Sequence, residues 1–123
     1  MKYNLIYNIF KVISVFLHIY MEKTDTSANN SGYRLPDTKT LQHACKLSIV
    51  EDKPIMMDYW TNSLEKVVLI GVKEDEEKLL VKSEEEYTSP ISKIYKVGTE
   101  YIIMTENSIY IVDVEIPTKR INS

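Results

Sequence analysis

His43 and Cys45 carry the side-chain chemistry for metal binding or nucleophilic attack. A thiolate beside an imidazole can attack an electrophilic carbon, and the same two side chains ligate zinc. Their spacing argues against both uses. Two residues two apart on a helix point in different directions. With one cysteine and two histidines in the chain, a second ligand pair for zinc is lacking. Cys45 is expected in the core and His43 at the surface. Asp58 and Asp113 are the next pair. Two carboxylates held roughly 5–10 Å apart can share acid and base roles. Both fall in strand-like runs, however, where an outward polar position is the simpler reading. No catalytic residue, metal ligand or cofactor is assigned, and the chain is not read as an enzyme.

Binding chemistry is better represented. Glu84-Glu85-Glu86 can meet a basic partner, although such a run is commonly a solvated loop. Tyr59, Trp60, Tyr87, Tyr95, Tyr101 and Tyr110 are spread over the strand-like runs. Their rings can serve as platforms for peptides or for unstacked bases, and the same residues are favoured in any strand. The candidate partner contacts are Tyr59, Trp60, Glu84, Glu85, Glu86, Tyr87, Tyr101 and Tyr110. The acidic surroundings favour a protein partner over a nucleic acid.

These residues must be positioned by a small set of elements. The chain of 123 residues fits one domain. Residues 37–50 read as its one good helix. Asp37 or Thr38 can cap the first turn, and Leu41, Ala44, Cys45 and Ser48 share a face. Lys53, preceding Pro54, must leave the helical region. The period then changes to that of strands: Ile55 to Trp60, Lys66 to Lys73, Lys78 to Ser83, Ile91 to Val97, Glu100 to Thr105 and Ser108 to Val114. Thr61-Asn62-Ser63 reads as a turn, Glu74 to Glu77 as a charged turn, and the segment after Pro117 as a loose tail. The expected fold is mainly β, with one N-terminal helix followed by a five- or six-stranded antiparallel small barrel. For the last hairpin, Glu106-Asn107 is expected at the centre of a tight turn with a positive φ at Asn107. Thr105 then pairs with Ser108, Ile103 with Tyr110 and Tyr101 with Val112. The other face (Ile102, Met104, Ile109, Ile111) should point into the barrel, with the tyrosines on the more exposed side.

Residues 1–20 are apolar, interrupted by Lys11 and His18. Three readings stay open: a membrane anchor with a costly central lysine, a signal peptide without a small-residue cleavage site, or an extension upstream of a true start at Met21. Residues 21–36 read as a linker rich in Ser, Thr and Asn, in which Asn29-Asn30-Ser31 matches a glycosylation acceptor by composition alone. Residues 37–116 form the helix-plus-barrel domain and residues 117–123 the tail. The charge divides unevenly. Residues 1–34 carry Lys2, Lys11, Lys23 and Arg34 against Glu22 and Asp25, or +2, while the remainder holds eleven cations against sixteen anions, or −5, giving −3 in all. A body of that sign repels phosphate backbones unless its charges segregate.

A helix followed by short strands resembles the SH3-like barrels, including the Sm-like arrangement, in element order only. The glycine and aspartate–asparagine pattern of Sm proteins is missing, so RNA binding of that type is not carried over. The segment Leu41 to Val112, through Tyr87-Thr88-Ser89-Pro90-Ile91 and Thr105-Glu106-Asn107-Ser108-Ile109-Tyr110, resembles small uncharacterised proteins of large DNA viruses that infect protists and algae. That resemblance implies an origin and no activity. The expectation is a small non-enzymatic protein–protein interaction or virion-associated module, in the host cytoplasm or the virion. The alternatives are a nucleic-acid-binding SH3-like domain, or a module tethered to a membrane through residues 1–20.

Overall fold

Helix α1 (Thr38–Glu51) begins at Asp37, whose extended backbone and carboxylate cap it by accepting from the Lys39 N–H. Its buried stripe is Thr40, Leu41, Ala44, Cys45 and Ser48, the face expected from the apolar spacing. Asp52 ends it in the left-handed region at φ 56°, and its N–H returns to the Ser48 carbonyl. The computed structural model describes residues 34–122, so the readings of residues 1–20, and nearly all of the linker, lie outside the described residues.

After α1 come β1 (Ile55–Met56), a one-turn helix α2 (Trp60–Leu64), β2 (Leu69–Val72), β3 (Lys78–Val81), β4 (Ile91–Val97), β5 (Glu100–Thr105), β6 (Ile109–Asp113) and β7 (Thr118–Arg120). The chain is therefore mainly β, with its strands in two sheets. One has the order β1-β6-β5-β4 and the other β3-β2-β7. The first sheet lies in the middle of the molecule. On one face Ile102, Met104, Ile109 and Ile111 pack with Leu41, Ala44 and Cys45 of α1 and with Ile55 and Trp60. On the other, Ile103 and Val112 pack with Ile70 and Leu80 of the second sheet and with Val68 just before β2.

Several expectations change. Ile55 to Trp60 does not continue as a strand. Trp60 turns inward and is 4 % exposed, and Ser63 behind it donates to the Trp60 carbonyl at 2.6 Å and accepts from the Asp113 N–H at 3.0 Å. Those tertiary contacts make a helical turn of residues that read locally as the end of a strand and a turn. The sheets are not wholly antiparallel: β1 runs parallel to β6, and β7 runs parallel to β2. The residues read as a loose tail thus supply an edge strand. Gly71 makes room for this, since a Cβ there would lie 2.8 Å from Ile121 Cδ1. Arg34 to Pro36, read as the end of the linker, belong to the folded body, with Pro36 buried and Arg34 in two ion pairs.

The β5–β6 hairpin has the expected register, with Tyr101 opposite Val112 and Ile103 opposite Tyr110, and the Thr105 N–H donates to Ser108 O at 2.9 Å. Its turn is built differently. Asn107 is not among the residues with positive φ. The Thr105 hydroxyl accepts instead from the Asn107 and Ser108 N–H groups, and Asn107 Nδ2 donates to Ser89 Oγ. The aliphatic face of the hairpin is buried as expected, but it faces α1, and the half-buried tyrosines line the space between the sheets.

Candidate interaction surface

Glu100, at the start of β5, fixes where α1 lies. Its side chain is 1 % exposed and accepts four hydrogen-bond contacts: two from the Asp37 N–H, one from the Thr40 hydroxyl and one from Arg34 Nη1 at 2.9 Å. A carboxylate at a helix N-terminus satisfies the orphan N–H groups and suits the positive end of the dipole. Arg34 Nη2 reaches Asp113 at 2.9 Å, its guanidinium lies 5.1 Å from the Trp60 ring centroid, and Trp60 Nε1 donates to the Arg34 carbonyl. The N-terminus of α1 is thereby tied to β5, β6 and α2 at once.

Between α1 and β4 runs a groove of about 730 Å³. Leu47, Val50, Tyr95 and Val97 give it apolar walls, and Lys39, His43, Lys46 and Lys96 surround them. Val50 is 67 % exposed. On α1, positions 39, 43, 46 and 50 follow helical spacing and form one stripe. Among the described residues Asp37 is the groove's one carboxylate, and it is engaged as the helix cap.

Strand β4 is an edge of its sheet. The Val114 N–H donates to Thr99 O, and the Thr105 N–H to Ser108 O. Alternation then directs the backbone of Tyr101 and Ile103 at β6, and that of Glu100, Ile102 and Met104 at β4. Their partners on β4 are Val97, Tyr95 and Lys93. The amides of Ile94 and Lys96 therefore point away from the sheet, and among the described residues no strand pairs with them. By contrast, the edge of β3 is covered: the Thr88 N–H donates to Leu80 O, and the Leu80 N–H to Thr88 Oγ1.

The residues singled out from the sequence divide. Tyr59 and Trp60 are 3 % and 4 % exposed and offer no surface to a partner. Their aromatic rings are filled into the core, which is the commoner use of such residues. The Tyr59 ring lies edge-on to Tyr110 at 5.2 Å, under Lys82 Nζ at 4.4 Å. Burial first, then the Tyr110, Asp58 and Glu86 charges, pushes the Tyr59 phenol up to about 12. Burial and Asp58 also raise Tyr110. Neither phenol is a base at neutral pH. Tyr101 and Tyr110 are half-buried, while Glu84, Glu85, Glu86 and Tyr87 are exposed. Glu84 and Tyr87 border a second depression of about 670 Å³, over Leu79, Val81 and Ile121.

Cys45 is buried, with its thiol pushed up to about 11 by desolvation, and His43 is exposed. Asp113 is engaged with Arg34, and Asp58 lies beside Tyr59 and Tyr110. Among the described residues no helix is long and apolar enough to cross a membrane. The groove residues Lys39, Lys46 and Lys96 escaped the sequence reading. Their signal was present in the cationic stripe of α1, but its opposite wall became visible only when β4 was placed. No protein-family model, curated protein or solved structure matches the chain.

Proposed function

We propose that the chain is a small, non-enzymatic protein–protein interaction module. The observation that carries this reading is the outward-facing backbone of β4 beside a groove with apolar walls and a cationic rim. Edge strands are a liability unless they are blocked or used. The scaffold is read as an incompletely closed small barrel of the SH3-like kind. A helix leading into short strands supports that, as does the packing of the two sheets around Ile103, Val112 and Leu80. A virion-associated or host-facing role is the setting proposed for it.

A second reading, binding of single-stranded nucleic acid, has one observation in its favour: Lys39 and Lys46 line the same groove as Tyr95. The balance of −5 outside the first 34 residues works against it. Affinity purification of the full chain from the cells that make it, with and without nuclease, separates the two. A protein recovered in constant proportion after nuclease treatment is the expected result. Recovery that vanishes with nuclease, or no recurrent partner, would reject the module reading.

A further inference from the structure

We propose that β4 takes up an extended, acidic peptide as an additional strand, seated in the groove between β4 and α1. This rests on the interaction-module reading and specifies its partner chemistry. Strand addition needs a row of outward main-chain donors and acceptors, which Ile94 and Lys96 supply on a strand of seven residues. It also needs room beside the edge for side chains, which the groove supplies over Val50 and Tyr95.

Charge selects the occupant. Lys39, His43 and Lys46 of α1 line the groove, whereas Lys96 borders it from β4 and, opposite Tyr101, directs its side chain to the other face of the sheet. The one carboxylate there among the described residues, Asp37, is held on the Lys39 N–H. Lysines on an edge strand can also serve to repel unwanted pairing, as can the irregularity between Ile91 and Lys93. That protective role explains Lys93 and Lys96. It leaves unexplained why the facing helix repeats the same charge along the groove, at positions where no strand edge needs guarding. An occupant with carboxylates on the groove side accounts for the charge of the helix wall.

The test uses the full-length chain and blocked seven-residue peptides of alternating Glu and Val, with alternating Lys and Val as the control. Binding is read from amide shifts and amide exchange. The Glu/Val peptide is expected to shift Ile94, Lys96 and the Lys39–Lys46 turns of α1, and to slow exchange at the Ile94 and Lys96 amides. The Lys/Val peptide should bind at least tenfold more weakly. Raising the salt should weaken the Glu/Val complex.

Ile94→Pro removes an outward N–H without taking a bond from the β5 ladder, so it should lower affinity at least tenfold in a chain that still melts cooperatively. A double variant, Lys39→Glu with Lys46→Glu, leaves the backbone edge intact and should reverse the preference between the two peptides. Equal binding of both peptides would overturn the proposal, as would full binding by a folded Ile94→Pro chain. So would movement of the same amides by an oligothymidylate but by neither peptide, or Ile94 and Lys96 amides already slow to exchange in the free chain. A partner captured by wild type and retained by Ile94→Pro would reject strand addition alone and leave the module reading standing.

Discussion

Glu100 shows how one buried charge can be accommodated when every acceptor site is used. Its carboxylate meets the Asp37 N–H, the Thr40 hydroxyl and the Arg34 guanidinium. Glu100→Ala leaves three donors without their acceptor, and stability should drop by about 3–5 kcal/mol in a denaturant titration. Arg34 is 47 % exposed and regains water, so the lower end of that range is expected. Glu100→Gln keeps an acceptor oxygen and should cost less. Cys45 gives a pH dependence. Its thiol rises from 9.0 to about 11 in the folded chain. The folded state therefore holds the proton after the unfolded state has released it. Stability from this group is complete below pH 9 and is lost as the pH climbs through about 11. Replacing the thiol, as in Cys45→Ala, should flatten the fall in melting temperature over that window, and a thiol reagent should label Cys45 only as fast as the chain opens.

At the scale of the elements, the two hairpin turns of the central sheet obey different rules. Gly98, between β4 and β5, has φ +60° and nothing within 4 Å of where its Cβ would stand. Gly98→Val should therefore cost about 1–3 kcal/mol from backbone strain alone, with no clash, and Gly98→Asn distinctly less. Thermal melts of the two variants check this. The β5–β6 turn depends on the Thr105 hydroxyl instead. Ile111, fully buried against α1, should cost roughly 2–5 kcal/mol on truncation to alanine, measured by denaturant titration. Elements with clean local signals were legible in the sequence: α1 from its cap and apolar stripe, and β4 and β5 from alternation and turn chemistry. Those fixed by distant partners were not. α2 exists because Trp60 and Ser63 find burial under β6, β7 is a strand of three residues that holds by parallel pairing, and β1 was expected as a strand from Ile55 but keeps only two residues, paired in parallel. The candidate site was illegible for the same reason. Its cations are ordinary surface residues until α1 and β4 face one another.

In the whole molecule, the central sheet is covered by α1 on one side and by the second sheet on the other, and both of its faces are core. That arrangement sets an order of events in time. β4, β5 and β6 are joined by short turns, so their contacts close over few residues. The ties from Arg34 span 66 residues to Glu100 and 79 to Asp113, and loop closure of that size is entropically costly before other contacts are present. The meander from β4 to β6 should then form ahead of the rate-limiting barrier, with the helix start docking onto Glu100 after it. Stopped-flow measurements on Arg34→Ala should show unfolding accelerated and refolding little changed, whereas Ile103→Val should slow refolding. The clasp that Arg34 makes thus acts as a latch: it determines how long the native state lasts once formed, and has little part in how quickly the chain reaches it.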